Sequence, residues 1–311
     1  MKLAYLFSGQ GAQYVNMGQD LYDNAATYRQ LIDTASEVCG FDIQAKTHEP
    51  AALDNTALLQ PMIVAMSYSI HALLKAQDLP TPVAHLGLSL GEYSALMAAG
   101  AVDFETGIDL VTKRGALMQT ASAQTKGKMV AVMTKDQQQV QEICSTVTDR
   151  GYVQIANENT SKQVVIGGEI PAVERAQQLL DAAGFKTIPL KVAGAFHTPL
   201  MTYAAANLAA DLRQTVFEEP AVMTLSNTTV TPFTHVNTAE TLIDQITNPT
   251  HFSKCLQKLG DLGVDTLVEV GPGHTLTGFA RKTLKGLKTY HVEDRATLLT
   301  TVQALQEEVS S

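Results

Sequence analysis

Residues 83–100 read VAHLGLSLGEYSALMAAG, an apolar run that enters a glycine-rich turn and continues into a second apolar segment. The run Val83–Leu86 is typical of a buried strand, and the segment after the turn is typical of a helix. Between them, Gly87 and Gly91 flank Ser89 in the pattern G-x-S-x-G, which presents a nucleophilic serine between a strand and a helix. The segment therefore predicts an α/β fold with Ser89 at a strand end.

A serine in such a turn needs a strained backbone, and glycines on both sides let the strand and the helix approach each other closely. The amide of Leu90, at the start of the helix, then points at the site, where it can stabilise an oxyanion. The alternative is a turn of small residues without chemistry, and the five letters alone leave that alternative open.

Strand-like and helix-like segments alternate on both sides of this turn. Leu3–Phe7 predicts a first strand, and helices are predicted from Tyr14 and from Pro61. Near the carboxyl end, Thr266–Val270 predicts another strand, which a Gly-Pro-Gly turn and a further helix follow. This alternation predicts a parallel sheet with crossover helices, in a large α/β-hydrolase-like domain.

The pattern changes between residues 125 and 191. The predicted elements there are strand, helix, strand, strand, helix and strand, over Met129–Met133, Gln137–Val147, Tyr152–Ala156, Gln163–Gly167, Pro171–Ala183 and Thr187–Lys191. This βαββαβ order is that of a ferredoxin-like module. We predict a small inserted domain over 125–191, and a large domain formed from 1–124 and 192–311.

The composition restricts the class of protein. The chain has 311 residues, 45% of them apolar and 17% charged, which is the range of soluble globular proteins. Cys39, Cys144 and Cys255 form no CxxC pair, so we expect neither a zinc site nor a redox centre, and a reducing cytoplasm fits best. A net charge of −9 argues against nucleic acid as a partner.

Two local features need an interpretation. The weakly polar stretch Met62–Leu74 is shorter than the roughly 20 residues that a membrane span requires, so we expect a buried helix and no membrane anchor. The basic cluster of Arg281, Lys282, Lys285 and Lys288 is typical of a solvated surface, although it would also suit docking of an acidic protein.

A serine hydroxyl is a poor nucleophile until a base takes its proton. Of the eight histidines, two follow a predicted strand in a glycine-containing loop: His197, in Gly194-Ala195-Phe196-His197, and His274, after the Gly-Pro-Gly turn. Both lie where the sites of α/β proteins gather. Sequence spacing does not choose between them.

Several segments together resemble the malonyl-CoA:acyl carrier protein transacylases of fatty acid synthesis and the acyltransferase domains of polyketide synthases. The resemblance extends over nearly the whole chain. Its landmarks, in order, are Phe7–Gln13, Leu59–Pro61, Gly87–Leu96, Arg114-Gly115 with Met118, Gly194–His197 and Glu269–Gly273.

The resemblance implies a role for residues that the pattern alone left open. Ser89 would be the nucleophile and His197 the base, which leaves His274 as a structural turn residue. In this family a backbone carbonyl holds the histidine in place of a carboxylate, and the matching residue is Gln245.

The resemblance also implies two oxyanion donors and a carboxylate-binding arginine. Gln10 would provide the second oxyanion amide beside that of Leu90, and Arg114 would grip the free carboxylate of malonate. Without the resemblance, Arg114 would be taken for a surface arginine like Lys113 beside it. We expect further substrate contacts from Gln60, Met118 and Asn157.

Two positions depart from the family pattern. Leu88 replaces a histidine before the nucleophile, and Ser8 replaces a proline before Gly9. Neither position supplies a catalytic group, so the departures bear on rate and fine acyl selectivity and not on the reaction class.

The resemblance implies an acyltransferase that moves malonyl from malonyl-CoA to acyl carrier protein in the cytoplasm. We expect no metal and no cofactor, because coenzyme A is part of the substrate, and we expect a monomer. The alternatives are a trans-acting polyketide acyltransferase, a serine esterase in which water resolves the acyl-enzyme, and a docking subunit without activity.

Overall fold

The computed structural model describes residues 1–310, which contain nine β-strands. In chain order the strands are β1 (Leu3–Phe7), β2 (Ala84–Gly87), β3 (Gly127–Met133), β4 (Val153–Thr160), β5 (Gln163–Glu169), β6 (Lys186–Pro189), β7 (Met223–Leu225), β8 (Thr266–Val270) and β9 (Lys288–Val292).

The same residues form fourteen α-helices. They are α1 (Gln19–Asn24), α2 (Ala26–Cys39), α3 (Ile43–Lys46), α4 (Pro50–Leu53), α5 (Thr56–Lys75), α6 (Gly91–Ala98), α7 (Phe104–Gln124), α8 (Gln137–Ser145), α9 (Ile170–Ala182), α10 (Thr202–Gln214), α11 (Thr238–Thr247), α12 (Phe252–Asp261), α13 (Thr275–Thr283) and α14 (Arg295–Ser310).

The larger sheet has five parallel strands in the order β7-β2-β1-β8-β9. Phe7 pairs with Gly87 on one side and with Val270 on the other, so three central strands end at the same edge. Every residue of β1, β2 and β8 is buried, as expected for a parallel sheet covered on both faces. The loops that follow these strand ends are therefore brought together, and one of them contains Ser89.

The smaller sheet is antiparallel, with the order β4-β5-β3-β6. Helices α8 and α9 pack on it around a separate apolar core that includes Val130, Val164 and Leu180. The succession βαββαβ with this strand order is the ferredoxin-like arrangement. The predicted fold class is confirmed, and the small sheet and its helices occupy residues 127–189.

Some predicted boundaries were wrong. The helix predicted from Pro61 begins at Thr56, because Asn55 caps it: the Asn55 Oδ1 accepts the amide of Ala57 at 2.9 Å. Pro61 lies inside this helix, where its missing N–H removes one backbone hydrogen bond. The helix predicted from Tyr14 begins only at Gln19, after turns.

Helix α5 is the one helix in the described part of the chain with the length and apolar composition to cross a membrane. It packs between α2 and α7 in the main core, and 72% of its most apolar window is buried inside the protein. The helix is thus the core element that the sequence predicted, and its apolar residues are explained by that burial.

Candidate active site

Ser89 stands in a tight turn between β2 and α6, with φ of 52°. A Cβ atom added to Gly91 would lie 2.2 Å from the carbonyl oxygen of Phe7, and one added to Gly87 would lie 2.0 Å from the carbonyl carbon of Gly91. Only glycine fits such close approaches. The prediction that both glycines let strand and helix approach is confirmed.

Two side chains hold the backbone of Ser89 in this conformation. The Ser89 amide donates to Oδ1 of Asn227 at 2.8 Å, and Nε2 of Gln245 donates to the Ser89 carbonyl at 2.9 Å. A left-handed serine costs about 1–3 kcal/mol, so it persists only where its surroundings enforce it. Here the turn is held from both sides.

The Ser89 hydroxyl contacts the predicted carboxylate-binding arginine. Nη2 of Arg114 donates to the Ser89 Oγ at 3.2 Å. The resemblance implies His197 as the base, but among the described residues no hydrogen bond joins the Ser89 hydroxyl to that ring. Catalytic serine–histidine contacts are often long without substrate and tighten only when substrate is bound.

His197 lies in the loop after the small domain and is buried. Its Nδ1 lies 2.8 Å from the carbonyl oxygen of Gln245, which is the contact that the resemblance implies. Because a carbonyl only accepts, Nδ1 carries the proton, and Nε2 is left as the free acceptor of a neutral imidazole. His197 also has a positive φ, of 59°, and Nε2 of Gln154 donates to its carbonyl at 2.9 Å.

Burial lowers the pKa of His197 to about 4. The Gln245 carbonyl acts in the opposite direction and raises the pKa, while the positive charge of Arg114 lowers it further. The ring is therefore neutral at pH 7 and can accept a proton from Ser89.

This pKa predicts the pH dependence of Ser89 acylation. Because only the neutral ring accepts a proton, the rate should fall as the pH drops through about 4, and it should not change with a midpoint at the ordinary value of 6.5. The rate of covalent labelling of Ser89 by a fluorophosphonate, measured across the pH range in which the protein stays folded, tests this expectation. A midpoint near 6.5 would contradict the buried, neutral ring.

Arg114 is buried, with 1% of its surface exposed, so the interpretation as a surface arginine is wrong. Its Nη1 donates to Oε1 of Gln60 at 2.7 Å and its Nη2 to Oε1 of Gln245 at 2.9 Å, and the Tyr93 ring centre lies 5.6 Å from the guanidinium carbon. Within the described residues, Arg114 Nε has no partner and no carboxylate forms a salt bridge with this side chain. A buried guanidinium without a carboxylate partner suits a substrate carboxylate.

Gln60 joins Arg114 to two other predicted residues. Its Nε2 lies 3.5 Å from Sδ of Met118 and 3.5 Å from Oε1 of Gln10. Nε2 of Gln10 in turn donates to Oγ1 of Thr56 at 3.4 Å. These contacts place Gln10, Gln60 and Met118 in one cluster with Arg114.

The two predicted oxyanion donors lie on facing loops. A Cβ on Gly9 would lie 2.6 Å from the carbonyl oxygen of Leu88, so the loop that carries Gln10 packs directly on the serine turn. Leu90 directly precedes α6, and its amide donates no hydrogen bond to the backbone of the described residues. Its N–H is available to an oxyanion.

Asn157 is the predicted site residue that the structure does not bring to this cluster. It lies in β4, and its Nδ2 donates to Oγ1 of Thr250 at 2.7 Å. The backbone of Thr250 also bonds to both neighbours of Asn157, Ala156 and Glu158, at 3.0 and 2.8 Å. The contacts of Asn157 thus join the small domain to the large one.

His274, the other histidine that spacing left open, is exposed and lies beside His291 and Glu293. The two rings are 5.3 Å apart between centres, and the possible metal-ligating atoms of the three residues lie within 4.8 Å of one another. This group has no contact with Ser89 among the described hydrogen bonds. The structure therefore gives no reason to choose His274 as the base.

Sequence reasoning missed two residues that touch the site, Glu92 and Asn227. The Glu92 Oε1 accepts the Asn227 amide, and its Oε2 accepts from Nε2 of Gln245 at 2.5 Å. One signal was present, because Glu92 is the only charged residue in α6, a helix that is almost entirely buried. A buried acid of this kind needs partners, but the sequence does not say which.

The sequence profile of the family described as "Acyl transferase domain" matches residues 4–308 of this chain. A malonyl CoA-acyl carrier protein transacylase of Bacillus subtilis is 36% identical over 312 residues, covering 99% of this chain and 98% of the relative.

Solved structures show the same similarity. The crystal structure of MCAT from Streptococcus pneumoniae has a TM-score of 0.93 and 41% identity, covering 97% of this chain and 100% of that one. A malonyl-transacylase in complex with a type II PKS acyl-carrier protein has a TM-score of 0.94 and 34% identity, covering 98% and 100% of the two chains.

Proposed function

The chain belongs to the acyl transferase family, and from this membership we propose that it moves malonyl groups from malonyl-CoA to acyl carrier protein in fatty acid synthesis. The relative from Bacillus subtilis is named for this activity, as a malonyl CoA-acyl carrier protein transacylase. The similarity extends over almost all of both chains, so the proposal concerns the whole of this chain.

The observation that carries the proposal is the 3.2 Å contact between the Arg114 guanidinium and the Ser89 hydroxyl. A malonyl group has a single methylene between its reactive carbonyl and its free carboxylate. A group that binds the carboxylate must therefore lie within a few ångströms of the nucleophile. Arg114 meets this requirement and is buried, which strengthens its attraction for a carboxylate.

In the proposed first step, Ser89 Oγ attacks the thioester carbonyl of malonyl-CoA while His197 Nε2 accepts its proton. The Leu90 and Gln10 amides bind the oxyanion that forms on the carbonyl oxygen. The C–S bond then breaks, and His197 returns the proton to the departing thiolate of coenzyme A.

In the proposed second step, the phosphopantetheine thiol of the carrier protein attacks the malonyl-serine ester. His197 accepts the thiol proton and delivers it to Ser89 Oγ as the ester bond breaks. The two half-reactions share one site, so the kinetics should be ping-pong. Serine, imidazole and amides supply the chemistry of both steps, and we propose that neither a metal nor a cofactor takes part.

The partners in this proposal are malonyl-CoA and an acyl carrier protein, with neither nucleic acid nor a membrane, and the protein works as a cytoplasmic monomer. The basic cluster of the sequence is not the docking site we propose. Arg281 lies in the last turn of α13 and Lys288 begins β9, at the opposite edge of the sheet from Ser89. A five-residue strand spans about 16 Å, so docking there would keep the thiol far from the serine.

The proposal is tested against the esterase alternative by following labelled malonyl from malonyl-CoA. We expect the label to move to holo acyl carrier protein, with little free malonate, because Arg114 keeps the ester carboxylate bound until the thiol arrives. Carrier protein without phosphopantetheine is the control and should stay unlabelled. Release of most of the label as free malonate would identify a hydrolase.

The polyketide alternative is favoured by one observation, the similarity to a malonyl-transacylase bound to a type II PKS carrier protein. The reaction is the same in both cases, and only the acceptor differs. Comparing kcat/KM for carrier proteins of the two pathways in the same assay decides between them.

A further inference from the structure

We propose that Glu92 is a positioning residue, which fixes the direction in which the Gln245 side-chain amide faces. In this orientation, the Gln245 amide keeps the serine turn and the carboxylate-binding arginine in the arrangement that the reaction needs. The inference rests on the proposed acyl transfer and adds to it a residue that touches no substrate.

Glu92 connects both residues that hold the Ser89 backbone. One carboxylate oxygen accepts a hydrogen bond from the backbone amide of Asn227. The Asn227 side chain in turn accepts a hydrogen bond from the Ser89 amide. The other oxygen accepts from Nε2 of Gln245, which also donates to the Ser89 carbonyl. A single buried carboxylate thus lies behind both contacts that enforce the positive φ of the nucleophile.

The chemistry of the neighbours gives the Gln245 amide one possible orientation. Its Oε1 accepts from Arg114, and a guanidinium can only donate. Its Nε2 donates to Glu92, and a carboxylate can only accept. Reversing the amide would place N–H against N–H at one end and oxygen against oxygen at the other.

The backbone carbonyl of Gln245 also accepts the hydrogen bond that Nδ1–H of His197 donates. The nucleophile, the base and the arginine therefore each bond to this one residue. A change in the packing of Gln245 would disturb all three groups at once, which makes the contact that fixes its side chain important for the rate.

Charge supports the same arrangement. Glu92 is fully buried, and burial raises the pKa of its carboxyl to about 8, although the N–H donors of Asn227 and Gln245 and the charge of Arg114 act in the opposite direction. Both carboxylate oxygens face N–H donors, so an added proton would find no acceptor, and the contacts suit the ionised form. When ionised, the carboxylate compensates the buried charge of Arg114 through the intervening amide.

Glu269 is a matched carboxylate without this role. It is buried too, and it accepts the amides of Leu276 and Thr277 at 3.0 and 2.7 Å, where α13 begins. Burial raises the pKa of its carboxyl as well. Glu269 therefore resembles Glu92 in its burial and in accepting hydrogen bonds from backbone amides, but it has no contact with Gln245.

The test compares Glu92→Gln with Glu269→Gln. A glutamine at 92 has one oxygen for two N–H donors, the Asn227 amide and Nε2 of Gln245, so one of the two contacts is lost and the serine turn is held less firmly. We expect fluorophosphonate labelling of Ser89 to slow by about tenfold to a hundredfold, and the preference for malonyl over acetyl loading to fall. In Glu269→Gln, folded molecules should keep both values even if the thermal midpoint drops.

Gln245→Met provides a second variant, because it removes the side-chain amide but keeps the backbone carbonyl for His197. It should reproduce the losses of Glu92→Gln, and it carries the test if that variant does not fold. The inference is overturned if either variant labels and discriminates like the wild type, or if Glu269→Gln shows equal losses. Wild-type protein that reacts with the fluorophosphonate but takes no malonyl would refute the proposed function alone, since the labelling comparison would still test Glu92.

Discussion

Arg114→Ala is expected to lower malonyl transfer by about 30-fold to several thousandfold, while acetyl transfer is retained or raised. Losing one partner of a buried charged pair costs about 2–5 kcal/mol, which sets this range. The effect should be specific for malonyl because an acetyl group has no carboxylate for the guanidinium to bind. The ratio of kcat/KM for malonyl-CoA to that for acetyl-CoA measures it directly.

Lys113→Ala is the control for this prediction. Lys113 is the neighbour of Arg114 in α7, but its ammonium is partly exposed and pairs with Asp109 and Asp211 at 2.9 and 2.6 Å. Exposed pairs of this kind contribute at most about 1 kcal/mol, so both transfers should be nearly unchanged. An equal loss of malonyl and acetyl transfer in the Arg114 variant would mean that the arginine serves the fold and not the substrate.

Ser89→Ala should abolish turnover, with a loss of up to about 10⁶-fold, the scale seen when a serine enzyme loses its nucleophile. The alanine keeps the positive φ and the two backbone contacts, so the fold should survive. The remaining activity should come only from binding and from the oxyanion amides. The rate of malonyl transfer to carrier protein, measured at matched folded fraction, gives the size of the loss.

Ser94→Ala is the matched control for the nucleophile variant. Ser94 is a buried serine in the same helix, α6, and its hydroxyl has no hydrogen-bond partner in the described residues. Its removal should leave transfer nearly intact. Comparable losses in the two variants would show that the helix, and not the Ser89 hydroxyl, is what the reaction requires.

The serine turn was predictable from the sequence because its determinants are local. Gly87 and Gly91 lie within two residues of Ser89, and the strand and helix patterns adjoin them. The ferredoxin-like order of the small domain was predictable for the same reason, since each element carries its own apolar period.

The partners of the serine were not predictable from local pattern. Gln245 lies 156 residues from Ser89 in the chain and Asn227 lies 138 residues away. Asn227 follows β7 of the parallel sheet, whereas Gln245 reaches the same edge from helix α11. Burial of Arg114 is likewise a property of the packed helices, so its pattern looked like that of a surface residue. The resemblance to a known family supplied Gln245 and Arg114, but not Glu92 or Asn227.

The resemblance did not predict the contacts of Asn157. Substrate binding was expected of it, whereas its side chain contacts Thr250 where the two domains meet.

The central claim is that malonyl becomes covalently attached to Ser89. Intact mass measured after brief exposure to malonyl-CoA, without carrier protein, tests it most directly. We predict that the wild type gains the mass of one malonyl group, that the peptide containing Ser89 carries it, and that Ser89→Ala gains nothing. An unmodified wild type, or an adduct of the same size on Ser89→Ala, would contradict the mechanism.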